Sequence, residues 1–237
     1  MKYDMEYSEF NLERVKSLET SLRKQLRVVV DISSAINRET QEKSQDLHDA
    51  FLLLMMSTSV AIESNRIIIL TLREVVAGIL HISPEGRVAL TSDLNKLQEL
   101  VCGCESDAQT LVETCISFAN EVTVLGEMLN KDIENTIKER KLQIDTVPQE
   151  EQGHLQTQLK EAKDLQWQIG KLRMDVIALE VVELSQEWHA FQQLHKQIIP
   201  IILTIRSVVN DSPYDSQRLE NKLASAQNWL ETCSLVL

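Results

Sequence analysis

The sequence predicts an all-α protein, an elongated antiparallel bundle of four or five long coiled-coil-like helices. Three observations carry this. Gly and Pro number only six and four in 237 residues, and strands joined by tight turns depend on both. Aromatic residues make up 4% of the chain, too few for a typical sheet core. Apolar residues recur at alternating steps of three and four, the period of a helix face, through most of the length.

The chain reads as a single elongated helical domain over 1–237, with helical segments at 8–38, 50–82, 87–145, 149–209 and 213–237. The first carries the stripe Val15, Leu18, Leu22, Leu26, Val29, Ile32, Ile36, close to a coiled-coil seam. A polar stretch at 37–46 weakens the stripe and predicts a bend or break there.

Segment 50–82 differs from its neighbours, being apolar nearly all round. Its charged residues are Glu63, Arg66, Arg73 and Glu74. Phe51, Leu52, Leu53, Leu54, Met55, Met56, Ile67, Ile68, Ile69, Leu70, Val75, Val76, Ile79 and Leu80 are its candidate membrane or partner contacts. The longest uncharged run is the thirteen residues 50–62, short of the roughly 20 that a constitutive transmembrane helix needs. Two readings remain: a central helix buried on all sides, or an apolar element sheltered in water and exposed on a membrane. The run 198–203 (IIPIIL) is a shorter patch with the same two readings. Ser83-Pro84-Glu85-Gly86 is the turn that ends the apolar segment.

The strongest periodic signal follows. Leu94, Leu97, Val101, Cys104, Ala108, Leu111, Cys115, Phe118, Val122, Leu125 and Leu129 form an unbroken three–four stripe. With 43% of the chain apolar, chance would make about half of these positions polar, so they define a helical seam. The stripe then slips to Ile133 and Ile137, a stutter-like change of phase. A helix over 87–145 would be about 90 Å long at about 1.5 Å per residue.

Val147-Pro148 and Gly153 mark the next connection. The stripe beyond it reads Leu155, Leu159, Ala162, Leu165, Ile169, Leu172, Val176, Leu179, then Leu184, Trp188, Phe191, Ile198, Ile202, Ile205. Pro200 predicts a kink or a helix end just before it. Ser212 and Pro213 fit a helix cap and first position, ahead of a last stripe at Leu219, Leu223, Ala226, Leu230, Cys233 and Leu237.

The chemistry-bearing residues are read as structural. Cys102, Cys104, Cys115 and Cys233 are expected to be thiols, with Cys104 and Cys115 on the seam. The five histidines form no His-Glu-x-x-His, the one Glu-x-x-His is Glu151–His154 where the four-helix di-iron pattern needs two on facing helices, and no Gly-rich phosphate loop occurs. The expectation is a non-enzyme with no cofactor and no metal. A net charge of −12 argues against nucleic acid, whose phosphates demand a basic face. The expected partners are a helical protein, another copy of the chain, or membrane lipid. The polar start MKYDME has no apolar run, so the protein is expected in the cytoplasm, or released without a conventional signal peptide.

The layout resembles the α-helical pore-forming toxins of the haemolysin E and xenorhabdolysin type. The resemblance rests on an amphipathic helix at 12–36, the apolar stretch 50–82, very long seamed helices, and the closing run LASAQNWL at 223–230. It covers most of the chain as architecture and implies that 50–82 is the membrane-entering part. It implies no catalytic residue. The alternative is a cytoplasmic coiled-coil scaffold or adaptor that binds partner helices.

Small-angle scattering checks the predicted elongation. A compact chain of this length has a radius of gyration of about 18 Å. Helices approaching 90 Å put the expected value well above that, and a compact value would replace the rod with short helices.

Overall fold

The computed structural model describes residues 10–79, 84–150 and 152–210. They form five helices: α1 (Leu12–Ser33), α2 (Arg38–Ile79), α3 (Pro84–Thr146), α4 (Gln152–Leu172) and α5 (Met174–Asn210). Among the described residues there is no strand, and the protein is an all-α helical bundle. The expected helix at 213–237 and the cap at 212–213 lie outside the described residues. Contacts gather into two compact units. Among the described residues, one contains 16–55 and 114–184, the other 10–15, 56–113 and 185–210.

Local chemistry sets the first break. Asn11 caps α1, its side-chain oxygen accepting from the Arg14 N–H at 3.0 Å. The helix buries Val15, Leu18, Leu22, Leu26, Val29 and Ile32. It ends at Ser33, short of the expected 38, because the chain tightens there. Ala35 N–H donates to Ile32 and Ile36 N–H to Ser33, each at 3.1 Å, the three-residue closure of a 3₁₀ turn. Asn37 then caps α2, its Oδ1 accepting from the Thr40 N–H at 2.8 Å.

The polar stretch 38–46 is therefore helix, and α2 begins twelve residues before the expected position 50. Its inward stripe continues through small hydroxyl residues: Thr40 and Ser44 are buried, followed by Leu47 and Phe51. Thr40 Oγ1 donates to Asp132 of α3 at 2.6 Å, and Asn37 Nδ2 donates to the same carboxylate oxygen at 2.9 Å. Hydroxyls that satisfy themselves this way can sit where an apolar residue is expected.

α3 agrees with the expected 87–145 helix to within three residues at either end. All eleven residues of its stripe, from Leu94 to Leu129, are buried, as are Ile133 and Ile137 beyond the phase slip. In one unit Phe118 meets Phe51 of α2 with ring centroids 5.9 Å apart.

The segment expected as one helix over 149–209 is two. Arg173 adopts a φ of 47°, a left-handed conformation that ends α4. Its carbonyl accepts from the Val176 N–H at 2.7 Å, which starts α5. The break resets the helical phase. The expected stripe through Leu172, Val176 and Leu179 is displaced, and Leu179 is exposed; Met174, Ile177 and Val181 are buried instead, leading into Leu184 and Trp188. Pro200 does not end the helix. It lies on the exposed side of α5, which continues to Asn210. The patch 198–203 is mostly core: Ile198 and Ile202 pack with α2 residues Ile68, Ile69 and Leu72 and α3 residues Leu94, Leu97 and Val101.

A glycine makes the break possible. A Cβ placed on Gly126 of α3 would stand 2.9 Å from the Cβ of Met174, closer than real carbon atoms approach. By contrast, a Cβ on Gly103 meets nothing within 4 Å. Gly126→Ala should therefore cost about 1–3 kcal/mol, as overpacking does. Gly103→Ala should stabilise by roughly 0.5–1 kcal/mol through helix propensity alone. Denaturant melts of the two variants check the contrast; equal shifts would mean that Met174 does not rest on Gly126.

Candidate interaction surface

α2 is the element with two different faces. The residues singled out in its sequence divide between them by helical geometry. Phe51, Leu54, Met55, Ile68, Ile69, Val75 and Val76 are buried, and Leu52 is half-buried. The opposite face keeps Leu53 64%, Met56 66%, Ile67 50% and Leu70 48% exposed. Leu80 and the side chain of Ile79 lie outside the description. Val60, 65% exposed, completes the outer face. The sequence reading passed it over, although its place between Met56 and Ile67 at the three–four spacing was the available signal.

The described part of segment 50–82 is not buried on all sides. The buried half seats α2 in the bundle; the exposed half forms an apolar ridge. Scattered exposed aliphatics are ordinary; here Leu53, Met56, Val60, Ile67 and Leu70 follow one three–four spacing, interrupted at Glu63, and an apolar patch of this kind marks a candidate contact surface. Over 56–70 the ridge includes only two charged side chains, Glu63 and Arg66, paired at 3.9 Å across one turn. Among the described residues α2 is the one helix long and apolar enough to cross a membrane, and only 39% of its apolar window is buried.

The unit containing residues 56–113 supports this helix from behind. α2, α3 and α5 share an aliphatic cluster that includes Leu72, Leu97 and Ile202. An aromatic group lies further along α5: Phe10 stands 4.8 Å from Phe191, and Trp188 packs edge-on to Phe191 at 5.2 Å. Glu187 is buried beside them, accepting from the Asn11 N–H at 2.9 Å, with the Arg14 guanidinium at 3.4 Å. Gln192 donates to Gln109 at 3.0 Å.

The described cysteines divide by position. Cys102 is exposed, Cys104 and Cys115 are buried, and all three are free thiols. Burial pushes the Cys115 thiol up to about 12 and raises that of Cys104, the opposite of an activated thiolate. Cys233 lies outside the described residues. Among the described residues no three His, Cys, Asp or Glu side chains gather as a metal site.

His195 occupies a seam position between Phe191 and Ile198. Its Nδ1 donates to the Phe191 carbonyl at 2.9 Å, which leaves Nε2 as the unprotonated nitrogen. That atom is buried and has no partner among the described residues. Burial lowers the pKa of the ring, opposed by the Phe191 carbonyl and by Glu105. A pKa lowered on folding favours the neutral ring. The stability it contributes is full above the unfolded value of about 6.5 and falls as pH drops below it. The chain should therefore melt at lower denaturant at pH 5 than at pH 7.5, and His195→Leu should shrink that difference. An unchanged difference would mean that other groups carry the acid sensitivity. No protein-family model, curated protein or solved structure matches this chain.

Proposed function

We propose that this is a non-enzymatic helical protein that works through the exposed face of α2, and that it permeabilises membranes as a soluble α-helical pore-forming toxin or toxin component. The observation that carries the reading is the ridge of Leu53, Met56, Val60, Ile67 and Leu70, left in water on a helix whose other face is core. Lipid would stabilise that apolar surface, and a helix enters lipid with its backbone already hydrogen-bonded. Charge on the ridge is confined to Glu63 and Arg66, which limits the cost of such a transfer. No cofactor enters the mechanism, and the acidic net charge keeps nucleic acid from being the target.

A second reading has its own observation. The three–four spacing of the ridge is that of a coiled-coil seam, which suits a scaffold or adaptor that captures a partner helix.

Vesicles separate the two. With Cys102 and Cys233 changed to Ser, an environment-sensitive dye at Val60→Cys should move to an apolar environment on adding vesicles, with release of trapped dye. A dye at Lys160→Cys, on the exposed side of α4, should stay in water. Val60→Asp should abolish release while helicity persists, since the site is exposed and its loss opens no cavity. An unresponsive Val60 probe and no release, with any lipid or added protein component, would leave the scaffold reading.

A further inference from the structure

Four buried side chains in the unit containing 56–113 and 185–210 keep a polar atom with no partner among the described residues. They are Thr58 Oγ1, both amide atoms of Asn65, Trp188 Nε1 and His195 Nε2. Thr58 and Asn65 lie on α2, Trp188 and His195 on α5, and none of the four residues is more than 1% exposed. A polar atom in such a place is costly unless something satisfies it.

The register of the helices brings the four together in pairs. α5 runs antiparallel to α3, with Gln192 beside Gln109, Lys196 beside Glu105 and Arg206 beside Asn95. α2 ends at Ile79, α3 starts at Pro84, and both enter one apolar cluster, so these two are antiparallel neighbours as well. Thr71 and Val75 of α2 accordingly line a groove with Leu90, Leu97 and Leu100 of α3. α2 and α5 are therefore parallel, and their buried stripes share one offset. It sets Ile68 level with Ile198, Leu72 with Ile202 and Val75 with Ile205, all in the common cluster. Earlier along the same two stripes it sets Asn65 level with His195 and Thr58 level with Trp188.

The polar levels also have small neighbours. Ala61 is the buried α2 residue between Thr58 and Asn65, and Ala108 is the buried α3 residue between Glu105 and Gln109, the stretch that flanks His195. Nδ1 of His195 donates to the Phe191 carbonyl, so Nε2 seeks a donor. The Asn65 amide offers both a donor and an acceptor, yet does not reach Nε2 directly. A water molecule between them donates to Nε2 and still exchanges hydrogen bonds with the amide, and buried water typically makes about three such bonds. The Thr58 hydroxyl and the Trp188 N–H present the same complement one level away.

We propose that water is bound inside this unit, at one site between Asn65 and His195 and at a second between Thr58 and Trp188, as a hydrated layer in the α2–α5 seam. The layer fixes register. A shift of one heptad would set Asn65 opposite Ile202 in one direction, or His195 opposite Leu72 in the other, and each leaves a polar group facing an aliphatic one.

Nuclear magnetic resonance of the full chain tests the sites. The methyl protons of Thr58, Ala61 and Ala108 should cross-relax with water, with the sign of a long-lived bound molecule. Those of Leu72 and Ile202, in the aliphatic layers, should not. Silence at the first three, or an equal response in all five, would overturn the proposal. A double-mutant cycle tests the pairing. Asn65→Leu and His195→Leu should each lower the folding equilibrium constant about tenfold, because each strands the polar atoms of the other. The two changes together should lower it by less than the product of the single losses, since apolar groups then replace both partners. Independent losses, or a direct Asn65–His195 hydrogen bond seen as a coupling across Nδ2–H and Nε2, would overturn it. Where a variant does not fold, the spectra of the unaltered chain decide alone.

Discussion

The fold depends on one continuous apolar seam along α3. From Leu94 to Leu129 every third or fourth residue is buried, and the helix is 63 residues long. Each buried aliphatic or aromatic side chain contributes about 1.5–3 kcal/mol. A seam of this length therefore outweighs any local preference in the helices that pack on it. Both units draw their cores from it: Leu94, Leu97 and Val101 in one, Cys115, Phe118 and Val122 in the other. The other helices have to match its period, which is why α2 continues as a helix through Arg38–Asp46 despite the polarity of that stretch.

A seam alone leaves register open, since aliphatic layers slide past one another at small cost. Specific contacts between helices remove that freedom. Asp132 takes hydrogen bonds from both Asn37 and Thr40, so α2 can start at only one height on α3. Met174 against Gly126 does the same for the start of α5. Buried polar groups are costly unless paired. Among the described residues each unit keeps some unpaired: Glu19 Oε1 in one, the Asn65 amide and Nε2 of His195 in the other.

The ridge itself follows from the same geometry. A helix that seats one stripe in a core turns the opposite stripe to solvent. In α2 the opposite stripe over 53–70 is mostly apolar, where α1 places Glu13, Lys16, Arg23, Lys24 and Arg27 on its outer side. Burying one face of α2 therefore cannot hide the other.

Much of this was determined by the sequence alone. The scarcity of Gly and Pro and the three–four stripes are local properties, so the all-helical class, the span of α3 and its buried seam were legible without coordinates. Residues that count as polar in a two-letter pattern were not. Thr40 and Ser44 become core only because Asp132 and neighbouring carbonyls satisfy their hydroxyls. The break at Arg173 depends on a φ that no pattern of Arg predicts and on the space that Gly126 leaves. The division of α2 was likewise undecided, because its sequence is apolar on every side. Which of its residues are core and which are surface is set by where α3 and α5 stand, and only the tertiary structure supplies that.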